Sequence, residues 1–487
     1  LLLEEKNGYY PVDPELMDVV LTAPTTLGKS FERQLNVDHV QNLLITGSLA
    51  RKLATDNETA FEKLKTKVDH DTITIVGGLE NELESNYLSS ESNLNQLQRG
   101  QASIKELFGY EPTVFMRRRF GLNAALPRFL DQLDFIGVVH ATLDDGKFPR
   151  GSSCNIRWTG DDESSVLAFG DTPLSASDAG SFLGLGVTIG EAIDSAHVSS
   201  VMFVHWPGDT CQTFDDLIRI TNYGPLLGDF VSVTDYFEKV YDPGYGETFT
   251  ADEYRTPFLK QAVAKQTLNP VSRMTKYWER FYKLSACRAL LTQACAKAGL
   301  NEEVSGELQN RILTLQSNVE ASLNVDGASD ELDTEIQSLE SDLKNAWNGT
   351  KSGQPTSSES DSVVVVNTTS FKRRVELKTA PQKHGTLKHQ LPVVYADALK
   401  GDGHWLLELP AMGAGTVTSQ SLVTADSFRS DPPPSEGLLL RNEFFQLEID
   451  ESTGGIRGIQ IYGQRGNLGG QQLSMRIPSQ KDSRNQP

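Results

Sequence analysis

Cysteine is scarce in this chain: 487 residues carry four, Cys154, Cys211, Cys287 and Cys295, scattered and without a Cys-x-x-Cys pair. That argues against a disulfide framework and against a zinc site of the Cys/His type. No run approaches ~18 consecutive apolar residues, so no membrane-spanning helix is expected and the chain reads as soluble. Positive charge is also short, with 45 Lys and Arg against 65 Asp and Glu, a formal net charge of −20. Such a balance disfavours nucleic acid or an anionic membrane as a partner. The opening "LLLEEKNGYYPVD" has no basic segment before an apolar run. It is not read as a signal peptide, and the compartment is left open.

What is present divides into three styles. The first half alternates short apolar runs with helix-patterned segments: "TITIVGG" (72–78), "TVFM" (113–116), "IGVVHA" (136–141), "VLAFG" (166–170) and "SSVMFVHW" (199–206). Strands of this kind, each followed by a helix, predict parallel pairing buried on both faces. Either a β/α barrel or an open doubly wound sheet would satisfy that pattern. Residues 251–350 then show helical spacing, with Leu308, Ile312, Leu315 and Val319 on one stripe, and short connections predict a three-helix bundle. A Gly/Ser/Pro linker at 351–362 leads into alternating β-type segments over 363–487, the start of an antiparallel β-sandwich.

In a parallel β/α architecture chemistry gathers at the C-terminal strand ends. Here those ends are charged. The strand at 72–76 runs into Glu80, Glu82 and Glu84, and the one at 113–116 into Arg117, Arg118 and Arg119. The strand at 136–141 carries His140 and exits into Asp144 and Asp145, and the one at 199–206 ends in His205 and Trp206 before Asp209. Each has a plain structural reading: a rim histidine, an Asx turn, acids at a helix N-terminus, a solvated arginine cluster. Taken together they suit a polar, polyhydroxylated ligand, with Trp206 able to stack on a sugar face.

The order of motifs resembles the α-mannosidases of glycoside hydrolase family 38. "GGLENELESNYLSSESNLNQLQRGQ" lies without gaps on a segment of that family, with Glu82, Glu84, Asn86, Glu91, Ser92, Gln96, Gly100 and Gln101 matching. "RFGLNAALPRFL" resembles the stretch around the family's nucleophile, through Phe120, Gly121, Ala125, Leu126 and Pro127, and "IRWTGDDESSVLAF" a later segment. The resemblance runs along nearly the whole chain. It implies a β/α barrel over 1–250, a three-helix bundle over 251–350 and the N-terminal part of a sandwich over 363–487.

The resemblance also exposes departures. The family's nucleophile is an Asp two residues before the Phe; here that place is Arg118, or Arg119 if the shorter segment is realigned. A guanidinium stays protonated and cannot attack an anomeric carbon. The family's zinc motif on its first strand is expected upstream of Leu1, so the barrel is read as lacking that strand. "PFLKQAVAKQTLNPVSR" (257–273) offers no His for the family's later ligand. Zinc is therefore not expected, and no metal ligand is assigned.

Three readings follow. A glycosidase would use carboxylates among Glu82, Asp144 and Asp145, with Asp144 or Asp145 opposite Glu82. Its substrate would touch Glu84, Arg117, Arg118, Arg119, His140, His205, Trp206 and Asp209. A non-hydrolytic protein would instead hold an anionic sugar on Arg117–Arg119. In the third reading the arginines are structural and pin Glu82 or Asp144 through buried ion pairs. The glycan is the expected partner throughout.

Overall fold

The computed structural model describes residues 14–119, 122–141, 154–196, 199–224, 227–241, 247–250, 258–264, 266–298, 300–323, 330–349, 362–379, 393–399, 402–418, 435–442 and 444–471. The chain forms two compact units, Leu1–Leu284 with Leu313–Gln337, and Ser285–Ile312 with Ser338–Pro487. The division falls inside the long helices.

The first unit is built on a curled, mostly parallel sheet. Its strands are β1 (Glu15–Leu21), β2 (Gln41–Ile45), β3 (Ile73–Gly77), β4 (Val114–Phe115), β5 (Gly137–Ala141), β6 (Cys154–Thr159) and β7 (Ser165–Asp171). β8 (Leu174–Ser175), β9 (Ser200–His205), β10 (Asp229–Phe230) and β11 (Glu247–Thr250) complete it. They lie in the order β11-β6-β7-β5-β4-β3-β2-β1-β9-β8, with β10 against β1 and only β6–β7 antiparallel. Helices α1 (Lys29–Gln34), α2 (Gly47–Asp56), α3 (Glu58–Asp69), α4 (Ser90–Phe108), α5 (Leu126–Gln132), α6 (Leu185–Ala196) and α7 (Gln212–Tyr223) fill the crossovers. The fold class is the one expected.

One expectation changes. The barrel strand sought upstream of Leu1 has a counterpart within the chain: β1 stands between β2 and β9 and pairs in parallel with both. Asp18 interrupts its apolar run and hid it from a search for continuous hydrophobic strands.

Period-two alternation sorts each strand into two faces. Met17, Val19, Leu21, Leu44, Val76, Val114, Met116, Val139, Phe169 and Met202, from seven strands, pack into one cluster on the concave face. The alternate residues Val20, Leu43, Ile45, Ile73 and Ile75 pack outward on Phe31, Leu53, Leu64 and Ile104 of the helices. Outward residues near the other end of the sheet, Phe115, Val138, Ile156 and Trp158, meet Leu97, Phe129 and Leu130.

Asp18 faces outward and is fully buried. Its Oδ2 accepts from His39 Nε2 at 2.7 Å and Gln41 Nε2 at 2.8 Å, and its Oδ1 lies 3.0 Å from His205 Nε2. Burial alone would raise the carboxyl, but the charge and hydrogen bonds of the histidines hold it well below the usual range. For His205 burial works against protonation, and Asp18 reverses that and raises its pKa.

Three long helices follow, α8 (Pro270–Ala298), α9 (Glu302–Ala321) and α10 (Asp330–Gly349). The expected stripe Leu308, Ile312, Leu315 and Val319 is buried. Arg280 of α8 grips Asp333 of α10 with two hydrogen bonds of 2.8 Å. Within the first unit the helices also meet the sheet domain. Gln96 Nε2 donates to the buried Glu320 at 2.8 Å, Arg99 to Ser317 at 2.6 Å, and the Ser89 amide to Tyr277 Oη at 3.3 Å.

The second unit carries antiparallel sheets. β12 (Ser362–Val366) pairs with β16 (Ala414–Thr418), and β15 (Asp402–Leu409) lies between β13 (Arg373–Thr379) and β14 (Val393–Leu399). β17 (Ser435–Glu436), β18 (Leu439–Arg441), β19 (Phe445–Ile449) and β20 (Ile456–Ile461) form a meander. No helix among the described residues is long and apolar enough to cross a membrane.

Two outcomes test this packing. A Cβ on Gly100 of α4 would lie 2.3 Å from the Gly78 carbonyl oxygen and 2.6 Å from the Glu80 amide. Gly100→Ala is expected to lower stability by about 1–3 kcal/mol, read as a reduced melting temperature. The Asp18–His205 pair sets a pH window. The raised His205 pKa gives stability that is complete below the ordinary histidine value and lost as pH rises through the higher folded value. The lowered Asp18 pKa gives stability present above the ordinary aspartate value and lost as pH falls through the lower folded one. Melting temperature should therefore be flat between the ordinary aspartate and histidine values, about pH 4 to 6.5, and fall on either side, the decline on the upper side beginning near neutral pH. Asp18→Asn should cost about 3–5 kcal/mol at neutral pH.

Candidate functional site

At the C-terminal ends of β1 to β4 the sheet opens into a cavity of about 370 Å³. Thr22, Ala23 and Pro24 line it after β1, Thr46 and Ser48 after β2, Asn81 and Glu82 after β3, and Arg118 and Arg119 after β4. Ser317 and Ala321 of α9 complete the wall. Its charged lining residues are Glu82, Arg118 and Arg119, two arginines to one carboxylate.

The β3 exit is held rigidly. The Glu80 amide donates to the Gln96 carbonyl at 2.8 Å, and the Asn81 amide to Gln96 Oε1 at 3.0 Å. Gln96 is itself held by Glu320. Glu82 thereby reaches β4, where its Oε1 accepts the Arg118 amide at 2.5 Å and its Oε2 lies 3.9 Å from Arg118 Nε. The Arg118 guanidinium carbon stands 5.6 Å from the centroid of the Trp206 indole, a cation–π contact. Trp206 follows Met202 and Val204 in the concave parity of β9 and packs on their cluster.

The three arginines have different places. Arg117 is buried; its Nη2 donates to the Leu83 carbonyl at 2.7 Å and its Nη1 to Ser85 Oγ at 3.2 Å, while its Nε bonds the Arg119 carbonyl. It clamps the β3 exit to the β4 exit and does not line the cavity. Burial pushes its pKa down to about 10, which leaves it charged at neutral pH. Arg118 is half-buried and Arg119 exposed, both at the cavity.

Several expected site residues lie elsewhere. His140 and His205 have the outward parity of their strands. His140 is buried edge-on against Trp158 at 4.9 Å, and burial drives its pKa down to about 3. His205 belongs to the Asp18 cluster. Neither faces the cavity, because alternation sends neighbouring side chains to opposite faces. Glu84 pairs with Arg273 of α8 at 3.7 Å, away from the cavity lining. Asp209 is exposed in the turn after Trp206, its amide donating to the Trp206 carbonyl at 3.0 Å. Glu80, at the same strand exit, is turned onto Arg51 and Ser103. Asp144 and Asp145 lie outside the described residues.

Sequence reasoning missed Thr22, Thr46, Ser48 and Asn81 and singled out Gln96 only as a motif match, with no place at the site. Each follows a strand or faces one, and strand order alone would have nominated the first three once β1 was known.

Zinc is the metal of the resembling family, and this lining has few groups to hold it. The β1 exit offers Thr22, Ala23 and Pro24, and the β4 exit offers arginines. Among the described residues no three His, Cys, Asp or Glu side chains stand close enough to hold a metal ion. The ion does not fit these residues, whose cavity already carries excess positive charge.

Comparison with known proteins agrees with this architecture. Residues 48–182 match the family model "Glycosyl hydrolases family 38 N-terminal domain". An alpha-mannosidase from Enterococcus faecalis V583 superposes with a TM-score of 0.61 at 11% identity, over 93% of this chain and 61% of that one. A glycosyl hydrolase family 38 protein from Enterococcus faecalis gives 0.54 at 11% identity, over 92% and 60%. The chain thus spans about three fifths of the length of these two structures. At that identity the likeness is one of fold. No curated protein matches the chain.

The division of labour among the arginines is measurable. Arg117→Ala strands the Leu83 and Arg119 carbonyls and should cost about 3 kcal/mol. Arg118→Ala should cost no more than about 1 kcal/mol. Melting temperatures of the two variants check this.

Proposed function

We propose that this chain, whose residues 48–182 carry the family 38 N-terminal domain, binds a glycan at the mouth formed by β1 to β4, and that the sugar it takes there bears an acidic group. The observation that carries this reading is Arg118. It lines the cavity at the strand end where the family resemblance expects a nucleophilic carboxylate, and it is oriented by Glu82 on one side and Trp206 on the other. A lining with two arginines to one carboxylate favours a carboxylate or sulfate ester over a neutral sugar, since a planar guanidinium pairs with such groups bidentately. Thr22, Thr46, Ser48 and Asn81 supply the hydroxyl and amide groups suited to sugar hydroxyls.

Hydrolysis is the second reading, and Glu82 favours it as a carboxylate already in the cavity. Cleavage needs a second carboxyl about 5–5.5 Å away for retention, or about 6.5–9.5 Å for inversion. Asp144 and Asp145 are the candidates. Glu82 is already engaged by the Arg118 amide and guanidinium, which ties its two oxygens to β4 and limits its freedom to reach a glycosidic bond. That places binding ahead of turnover.

One pair of measurements separates the two. Oligosaccharides with uronate or sulfate groups should bind more tightly than neutral ones of the same length, and less tightly as salt rises. Arg118→Ala should weaken that binding about tenfold to hundredfold. A panel of aryl glycosides should show no turnover. Turnover of an aryl mannoside abolished by Glu82→Gln and by Asp145→Asn would establish hydrolysis instead.

A further inference from the structure

We infer that Asp18 and His205, buried in the outer wall, are positioning residues for the cavity mouth: an imidazolium at His205 fixes the Trp206 backbone and with it the meeting of indole and Arg118. Both ring nitrogens of His205 meet an oxygen. His205 Nε2 faces Asp18 Oδ1 at 3.0 Å, and Nδ1 faces the Trp206 carbonyl oxygen at 2.8 Å. A carboxylate and a carbonyl are both acceptors without a hydrogen to give. Both contacts are hydrogen bonds only if both ring nitrogens carry protons, which is the imidazolium form. His39, the other histidine on Asp18, has an acceptor at Nε2 alone.

The groups facing His205 support that charge. Asp18 lies on β1, with its second oxygen taken by His39 and Gln41, and Asp209 acts through space from the turn after β9. From α7, Phe214 covers the ring at 5.8 Å. His39, at the start of β2, is the other titratable group on Asp18.

The Trp206 carbonyl is the hinge of the device. It takes the His205 proton and also the Asp209 amide at 3.0 Å, closing a turn in which Gly208 has φ of 71°. With that peptide fixed, the Trp206 side chain leaves on the concave side, its ring 5.6 Å from the Arg118 guanidinium carbon. If His205 loses its proton, one ring nitrogen presents a lone pair to an oxygen. Either the carboxylate or the carbonyl contact is lost, and the Trp206 peptide is released. The inference deepens the mouth reading above, but its readout needs no glycan.

Nitrogen-15 NMR of the full chain labelled at histidine and tryptophan tests it. His205 is assigned among the eight histidines by its loss in His205→Gln, and the Trp206 indole by its loss in Trp206→Phe. At pH 7 both ring nitrogens of His205 should show protonated shifts. On raising the pH, His205 should titrate above a free histidine, as its Asp18 partner requires, and the Trp206 indole N–H should move with the same midpoint. Asp18→Asn should bring both midpoints down together. A neutral His205 at pH 7, or a Trp206 signal indifferent to its titration, overturns the proposal. Should Asp18→Asn fail to fold, the titration of the unsubstituted protein decides alone. Failure of every glycan to bind would count against the mouth reading and leave this result intact.

Discussion

A carboxylate taken wholly out of water has to be met by donors at both oxygens, and in this sheet that demand falls on Asp18. The donors come from the two neighbours of β1: His205 ends β9, and His39 and Gln41 open β2. A buried ionic set of this kind adds little net stability over apolar packing. What it can supply is register. A slip of β1 by one residue against either neighbour would turn Asp18 to the concave cluster and set an apolar side chain before the histidines. The alternation that sorts every other strand is thus anchored where the sheet could most easily have paired wrongly.

Much of the fold was legible because apolar runs and helical stripes are direct consequences of burial. The strands around 73–77, 137–141 and 200–205 fall where such runs predict them. The strand β1 was not, since one buried charge broke the pattern by which it would have been recognised. At the site, residue types were legible but their directions were not used. His205 and Trp206 are adjacent on a strand, so both could not face one cavity. The same rule separates Arg117 from Arg118. Other contacts had no local signal at all: Gln96 and Glu320 are 224 residues apart, and nothing in either neighbourhood announces the other.

Charge behaves differently at two scales here. The chain as a whole is strongly acidic, yet its cavity is lined by two arginines and one glutamate. Net charge governs what the protein avoids at long range, where salt screens beyond about 10 Å. What the cavity selects is decided by groups within hydrogen-bond reach. An acidic ligand would therefore approach against a weak, screened repulsion and be held by a local attraction.

Glu320 carries a consequence for anyone dividing the molecule. Its carboxylate, set on the second long helix, holds Gln96, and through it the loop bearing Glu82; Ser317 and Tyr277 hold α4 beside it. A truncation after residue 250 would keep every barrel strand and strip away these supports. The sheet domain so obtained would expose the back of α4 and leave the β3 exit without its prop, because the compact unit that holds the sheet also takes in Leu313–Gln337.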